Sequence, residues 1–120
     1  MILAKIQFVE GLDEKSLPIV VLSRSKDGST GTAVFRFHNP TIFSKATSTT
    51  KPITGMYLID REGTLLTRNL QVNYVDGKPK KIEAIYVMKK RDGWDRFMRF
   101  MRRYSKVNEL IFTKPDSDQF

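Results

Sequence analysis

Alternating apolar and polar positions predict β-strands over most of the chain. In the first of these segments Ile6 and Phe8 share one face, which is expected to point into the core. The second segment differs because it holds a continuous apolar run, Ile-Val-Val-Leu, which is typical of a buried strand. The predicted strands are Leu3–Glu10, Pro18–Arg24, Thr32–His38, Ile53–Asp60, Leu65–Val75 and Ile82–Met88.

Turn signals connect these strands as neighbours. Asp27–Gly28 and Asp76–Gly77 tolerate the positive φ of tight turns, and the second pair is the strongest hairpin signal in the chain. Asn39–Pro40 is expected to end the third strand, because proline cannot donate to a strand ladder. The polar, aperiodic stretch Ser44–Pro52 is predicted to be a surface loop. The strands therefore predict an antiparallel sheet or open barrel of about 6–7 strands.

The spacing of apolar residues changes to a helical period after the last of these strands. On a helical wheel of Trp94–Lys106 the large apolar residues fall within an arc of about 160°, and basic residues fill the opposite side. The apolar residues are Trp94, Phe97, Met98, Phe100, Met101 and Tyr104. This pattern predicts an amphipathic helix, capped by Asp92, that packs on the sheet and keeps a basic outer face.

Together these elements predict a mainly β domain with one C-terminal α-helix, an α+β fold. A chain of 120 residues suits a single domain, which we place over residues 1–113 with a flexible tail over residues 114–120. Leu110–Thr113 is predicted to be a last short strand. No apolar run reaches the about 18 residues of a membrane-spanning helix. The N-terminal segment is expected to be a first strand and not a signal or transit peptide.

Positive charge is concentrated in one part of the chain. The net charge is +8, and the eleven basic and three acidic residues between Lys78 and Lys106 account for all of it. Such a concentration points to an anionic partner, either nucleic acid, anionic lipid or an acidic protein surface, although a solvated face explains the charge equally well. The candidate partner-binding residues are Lys80, Lys81, Arg91, Arg96, Arg99, Arg102 and Arg103.

The sequence contains no pattern typical of an enzyme or a metal site. It has no cysteine and His38 is its only histidine, so Cys-ligated centres and His-rich sites are excluded. No glycine-rich loop opens a helix to hold a phosphate. The acidic pairs Asp13–Glu14 and Asp116/Asp118 lie in an expected loop and in the tail, where we expect solvated carboxylates. We therefore expect no catalytic residues and no metal site.

Two kinds of binding function fit the pattern. An exposed sheet edge accepts an extended peptide as an additional strand. Alternatively, basic charge combined with strand aromatics is typical of proteins that bind single-stranded nucleic acid. The strand aromatics are Phe35, Phe37, Tyr57, Tyr74 and Tyr86. Nucleic acid is the weaker alternative, because the chain lacks an RNA-binding signature and because Phe35 and Phe37 share a face that a one-sided sheet buries.

A block on the predicted helix, Trp94–Met101, reads Trp-Asp-Arg-Phe-Met-Arg-Phe-Met and is followed by Arg103–Tyr104. Other stretches that belong to the same pattern are Ala4–Phe8, Thr54–Asp60, Glu62–Gly63, Ile82–Ala84 and Tyr86–Met88. In this order the stretches resemble the Psb28 family of photosystem II assembly proteins. The resemblance extends from about Ala4 to Phe112 and so covers nearly the whole chain.

The resemblance implies a cofactor-free protein, monomeric when free, that lies peripherally at the cytoplasmic or stromal side of the thylakoid membrane. Members attach transiently to immature photosystem II during assembly or repair, near the acceptor side of the reaction-centre subunits and the inner chlorophyll antenna subunit. The resemblance also implies that members extend their sheet with peptide segments of these partners. This chain departs from the family pattern at Arg61, Arg102 and Lys89–Gly93, which points to a divergent paralogue.

Overall fold

The computed structural model describes residues 2–44 and 51–108. These residues form eight β-strands, one short 3₁₀ helix at Thr41–Phe43 and one α-helix, α1, at Arg91–Asn108. The strands are β1 (Lys5–Val9), β2 (Leu12–Asp13), β3 (Ile19–Arg24), β4 (Gly31–His38), β5 (Met56–Asp60), β6 (Gly63–Thr67), β7 (Leu70–Val75) and β8 (Lys78–Met88). The predicted α+β fold, mainly β with a C-terminal helix, is confirmed.

The strands form two four-stranded antiparallel sheets. The first has the order β2-β1-β5-β6, and the second has the order β3-β4-β8-β7. All eight residues of β4 pair with residues 81–88 of β8, and these two strands form the centre of the second sheet. The predicted hairpin between β7 and β8 is confirmed, with Asp76 at φ 52° and Gly77 at φ 76° in its turn.

One hydrophobic core contains residues from both sheets and from α1. Phe8 of the first sheet meets Phe37 of the second edge to face, with 4.9 Å between the ring centroids. Phe35 meets Phe97 of α1 in the same geometry at 6.0 Å. Ile6 and Phe8 are fully buried, so the inward face predicted for the first strand is confirmed.

The α-helix buries the predicted apolar arc but begins earlier than expected. All six large apolar residues of the arc lie in the core. The helix starts at Arg91, and the Trp94 N–H donates to the Lys90 carbonyl oxygen over 3.1 Å, which puts Lys90 at the N-cap position. Asp92 lies inside the first turn, so the prediction that it caps the helix is wrong. Its carboxylate still lies near the positive end of the helix dipole.

The predicted single strand Leu65–Val75 is two strands in different sheets. β6 ends at Thr67, and β7 begins at Leu70. The Thr67 hydroxyl donates to the Ile85 carbonyl oxygen at 2.6 Å and accepts from the Asn69 N–H at 3.1 Å. These bonds stabilise the chain where it leaves one sheet for the other. The apolar pattern does not reveal the change, because the Ile85 carbonyl reaches Thr67 only in the folded chain.

Strand β3 is more exposed than its apolar run predicts. It is an edge strand of the second sheet and pairs with β4 alone. Ile19 and Val21 are 55% and 45% exposed, while Leu22 is buried. The prediction of a buried strand is wrong, because no other described element covers the outer face of this sheet, and an antiparallel sheet tolerates one solvated face. The sequence also misses β2, whose two residues are too few to show a period.

Some predictions concern residues outside the described part of the chain. These predictions concern residues 45–50 of the loop Ser44–Pro52, the strand Leu110–Thr113 and the tail over residues 114–120. The domain boundary at residue 113 therefore stays a prediction.

Candidate partner-binding surface

Three arginines of α1 converge on two carboxylates at the turn between β5 and β6. Arg96 holds Asp60 with two hydrogen bonds, from Nη2 to Oδ1 at 2.7 Å and from Nη1 to Oδ2 at 3.0 Å. Arg103 donates from Nη1 to Asp60 Oδ2 at 2.9 Å and also binds Glu62. Arg99 donates to Glu62 from Nε and from Nη2, both at 2.9 Å. We call these five residues the arginine–carboxylate cluster.

Helical spacing and a tight turn together create the arginine–carboxylate cluster. Arg96, Arg99 and Arg103 are three and four residues apart, so their side chains form one stripe along α1. Asp60 ends β5 and Glu62 lies in the turn that follows, so both carboxylates lie at one end of the hairpin. The Asp60 side chain has no exposed surface, while that of Glu62 is 28% exposed. The cluster therefore links α1 to the first sheet through a buried carboxylate.

The cluster favours the charged forms of both acids. Burial raises the pKa of Asp60, but the hydrogen bonds from Arg96 and Arg103 outweigh burial and leave this pKa below its usual 3.8. Hydrogen bonds from Arg99 and Arg103 lower the pKa of Glu62 to about 2. Both carboxylates are ionised at neutral pH, so they offset two of the three positive charges on this stripe of α1.

This pairing corrects the prediction of a basic outer face on the helix. Arg96 and Arg103 are only 16% and 25% exposed and, with Arg99, pair within the chain. A helical wheel shows which residues share a face but not that a turn elsewhere in the sequence supplies acids to that face. A role of these three arginines in partner binding stays a prediction.

The other two predicted helix residues, Arg91 and Arg102, are exposed. Arg91 Nη2 donates to the Asp27 backbone carbonyl at 2.8 Å, which links the start of α1 to the turn between β3 and β4. Within the described part of the chain, the Arg102 side chain has no hydrogen bond or ion pair. Its guanidinium is therefore available to an anionic partner.

Lys80 and Lys81 lie at the opposite end of β8 from α1. Both side chains are exposed, and with His38, Asn39 and Val75 they line a shallow cavity of about 310 Å³. The seven predicted residues thus form separate groups and not one continuous basic patch. Only the folded chain shows this, because β8 carries the two lysines away from the helix that follows it in sequence.

Glu14, which the sequence predicts to be a solvated carboxylate, is buried in the structure. Glu14 is only 7% exposed. Its Oε2 accepts from the Thr41 N–H at 2.7 Å and from the Ser16 hydroxyl at 2.7 Å, and its Oε1 accepts from the Ile42 N–H at 3.0 Å. Burial raises the pKa of Glu14, but the hydrogen bonds from Ser16 and Thr41 outweigh burial and leave this pKa below its usual value. The prediction is wrong, since this carboxylate satisfies the first N–H groups of the 3₁₀ helix.

The aromatic residues do not form a stacking surface for nucleic acid. Phe35 and Phe37 are fully buried. Tyr86 stacks on Phe97 with 5.3 Å between the ring centroids. Tyr74, at 64% exposure, is the strand aromatic that the described residues leave most accessible. One exposed ring gives little support to the nucleic-acid alternative, because binding of single strands uses several stacked bases.

Within residues 2–44 and 51–108, no group of three or more His, Cys, Asp or Glu side chains could hold a metal ion. His38 lies exposed at the end of β4, the position that the sequence predicts. In the same part of the chain, no helix has both the length and the apolar character needed to cross a membrane.

Comparison with known proteins bears out the resemblance found in the sequence. The family model described as Psb28 protein matches residues 6–112. A relative from Trieres chinensis is 62% identical over 111 residues, which cover 92% of this chain and 96% of the relative. Relatives from Guillardia theta (54% over 115 residues, 96% and 99% covered) and Trichormus variabilis (53% over 112 residues, 93% and 99% covered) are also similar. All three are named photosystem II reaction center Psb28 protein, and with a match of this extent the chain belongs to the Psb28 family.

Proposed function

We propose that this chain is a non-catalytic, transient assembly or repair factor that binds the cytoplasmic or stromal face of immature photosystem II. The observation that carries the proposal is the family match over residues 6–112, together with relatives named for the photosystem II reaction center. The proposed partners are the reaction-centre subunits, near their acceptor side, and the inner chlorophyll antenna subunit. The chain is then peripheral to the thylakoid membrane and monomeric when free.

Exposed cations are proposed to steer the chain towards its partner. Arg91, Arg102, Lys80 and Lys81 extend from separate places on the surface, so their effect is a broad positive field. Such a field acts mainly on the association rate and weakens with salt, because the Debye length is about 8 Å at physiological ionic strength. Arg96, Arg99 and Arg103 contribute less to this field, because they pair with Asp60 and Glu62 and hold α1 to the first sheet.

A partner peptide is proposed to add as a strand to the open side of β3. This edge is six residues long, carries no charge before Arg24, and exposes Ile19 and Val21. A regular apolar edge of this kind is a template for pairing with another chain. Strand addition at this edge would extend the second sheet to five strands, with main-chain hydrogen bonds supplying affinity.

The hydrogen bonding of β3 indicates which groups a partner would meet. The Ser25 N–H donates to the Thr30 carbonyl oxygen at 2.9 Å, so this N–H points towards β4. Successive N–H groups of an antiparallel strand point to opposite sides. The N–H groups of Val20 and Leu22 therefore point away from β4, to the side where an added strand would pair.

The other edges are less suited to a partner strand. β2 has only two residues. The register of β7 with β8 shifts between Asn73 and Tyr74, which interrupts regular geometry. β6 ends where the Thr67 hydroxyl binds the Ile85 carbonyl of β8, so β8 lies beside the end of β6. β3 is the longest regular edge of the described sheets.

Replacing Val20 by Pro is expected to reduce capture of photosystem II subunits about tenfold, since it removes one main-chain donor from the proposed interface. Proline is tolerated on an edge strand where its N–H would face solvent, so we expect the domain to stay folded. Val20→Ala is the matched control, because it shortens the side chain but keeps the N–H. Tagged variants would be incubated with gently solubilised photosynthetic membranes, and captured subunits quantified by mass spectrometry.

Equal capture by the proline and alanine variants, with wild-type melting temperatures, would exclude β3 as the acceptor edge. Failure of the wild-type chain to capture any photosystem II subunit would instead contradict the proposed function itself. The two failures are therefore distinguishable in one experiment.

A further inference from the structure

The hairpin of β7 and β8 extends beyond the rest of its sheet. The last residue of β4, His38, pairs with Lys81 of β8. β8 begins three residues earlier, at Lys78, and pairs there with the end of β7 at Val75. Just after β4, the Asn39 N–H still bonds the Lys80 carbonyl oxygen, so residues 74–79 form a two-stranded projection about 7 Å long, from the rise of about 3.3 Å per strand residue. We call residues 74–81 the ribbon tip.

The ribbon tip combines exposed apolar side chains with a local excess of positive charge. Tyr74 and Val75 are 64% and 51% exposed, among the most exposed large apolar residues described. The exposed lysines of the tip are Lys78, Lys80 and Lys81. The single acid of the tip is Asp76. The turn at the end of the hairpin is Asp76–Gly77, and the apolar and basic side chains lie directly behind it. Because three lysines outweigh the one acid, this combination fits a surface that is apolar inside and anionic outside.

The backbone of the ribbon tip is held in place. Asp76 and Gly77 both adopt positive φ, as in the two-residue turns that match the twist of the flanking strands. The Asn39 N–H donates to the Lys80 carbonyl oxygen at 2.7 Å, which ties the base of the ribbon to the residue after β4. Tyr74 and Val75 therefore lie on opposite faces of a fixed hairpin, next to its turn, so little conformational freedom is lost when the tip binds.

We propose that the ribbon tip docks onto an anionic lipid surface. Tyr74 and Val75 enter the headgroup region, where an aromatic ring with a polar end is well accommodated. Lys78, Lys80 and Lys81 bind the anionic headgroups as point charges on flexible stems. This contact is independent of the edge strand β3 and of which protein the chain binds.

A lipid surface fits the ribbon tip better than a peptide or a nucleic acid. The cavity that Val75, Lys80 and Lys81 line is shallow, whereas an extended peptide needs a long groove or a longer free edge. Its cations are lysines, whereas arginines are preferred for bidentate recognition of carboxylates and phosphates. Its one exposed ring, Tyr74, offers a single stacking position, which is too few for a nucleic-acid strand.

Binding to vesicles tests the proposal directly. The full chain would be sedimented with vesicles of phosphatidylglycerol and phosphatidylcholine, and with vesicles of phosphatidylcholine alone, at low ionic strength. We expect binding to the mixed vesicles only, and its loss in 1 M salt, where the Debye length is about 3 Å. The triple variant K78Q/K80Q/K81Q is expected to bind about a hundredfold more weakly, since each lysine near an anionic surface contributes about fivefold.

Two further variants separate a specific contact from general charge. K89Q/K90Q/K106Q removes the same charge from exposed lysines outside the ribbon tip and is expected to change binding less than about threefold. Y74S/V75S keeps every lysine and is expected to weaken binding about tenfold, because the apolar anchor is lost. Thermal unfolding would confirm that all variants fold, as surface substitutions usually permit.

Equal losses in the two triple variants, or full binding by Y74S/V75S, would overturn the ribbon tip as the lipid contact. Capture of photosystem II subunits by a wild-type chain that does not bind the mixed vesicles would also overturn it, and would leave a protein surface as the partner of the tip. In that case the proposed function would stand without the lipid contact.

Discussion

Replacing Trp94 by Ala is expected to lower the free energy of unfolding by about 3–5 kcal/mol. The indole is 2% exposed and packs directly on the backbone of β4, while the Arg24 guanidinium covers its ring at 4.7 Å from the centroid. Alanine would leave a cavity beside a strand backbone that cannot move to fill it. Urea unfolding should be followed by circular dichroism, because Trp94 is the only tryptophan of the chain.

The neighbouring glycine provides a second test of this contact. A Cβ added to Gly31 would lie 2.3 Å from the indole Cε3 of Trp94, closer than two carbon atoms can approach. Gly31→Ala is therefore expected to destabilise the wild-type chain strongly and the Trp94→Ala background much less, since only the approach to the Ser23 carbonyl oxygen at 3.1 Å then remains. A double-mutant cycle would give a coupling free energy above about 1 kcal/mol, within the range for residues in direct contact.

Val107→Ala is the control for the tryptophan prediction, because Val107 lies on the same helix and is 45% exposed. We expect it to change stability by less than about 0.5 kcal/mol. If Trp94→Ala left the urea midpoint unchanged but abolished capture of photosystem II subunits, Trp94 would be an interface residue and its assignment to the core would be wrong.

Replacing Asp60 by Asn is expected to lower the free energy of unfolding by about 2–3 kcal/mol. The variant keeps the shape of the side chain but presents an amide NH₂ to guanidinium donors, so a good acceptor of Arg96 or Arg103 is lost. The full cost of breaking a buried ion pair is reduced here, because the two arginines retain 16% and 25% exposure and contact Glu62 as well. Urea unfolding at neutral pH measures the loss.

The same cluster predicts the acid sensitivity of the fold. The folded pKa of Asp60 lies below its ordinary 3.8, so its stabilising effect is present above that pH and is lost as the pH falls below it. The stabilising effect of Glu62 is likewise lost as the pH falls, from its ordinary pKa of 4.5 towards the folded value of about 2. The wild-type chain should therefore lose stability from about pH 4.5 downwards, and Asp60→Asn should show a shallower decline.

Glu83→Gln is the matched control for the cluster, since Glu83 pairs with Arg36 at 3.0 Å on the exposed face of the second sheet. It should change stability much less than Asp60→Asn, because exposed ion pairs contribute little. Equal stability of Asp60→Asn and the wild-type chain at neutral pH would contradict the view that the cluster fastens α1 to the first sheet.

Local pattern predicted most of the elements but not the change between sheets. The alternation that buries Ile6 and Phe8, the turn at Asp76–Gly77 and the helical arc from Trp94 to Tyr104 each depend on neighbours within a few residues. The end of β6 at Thr67 does not depend on near neighbours, because the Thr67 hydroxyl binds the Ile85 carbonyl oxygen of β8, a strand later in the sequence. Predictions from period and propensity therefore merge β6 and β7.

The candidate surface was predictable in composition but not in arrangement. The seven basic residues are evident in the sequence, but the pairing of Arg96 and Arg103 with Asp60 joins segments more than 30 residues apart. The exposure of the ribbon tip also depends on a distant segment, because β4 must end at His38 for Tyr74 and Val75 to extend beyond the sheet. Charge counts point to an anionic partner, and the fold shows which cations remain available.

The most direct test of the proposed function is a pull-down of the tagged wild-type chain from gently solubilised photosynthetic membranes, washed at moderate salt. Mass spectrometry of the bound proteins should show the reaction-centre subunits and the inner chlorophyll antenna subunit without the oxygen-evolving extrinsic subunits. That composition marks an immature photosystem II. Recovery of ribosomal or nucleic-acid-bound proteins, with no photosystem II subunit, would contradict the proposal.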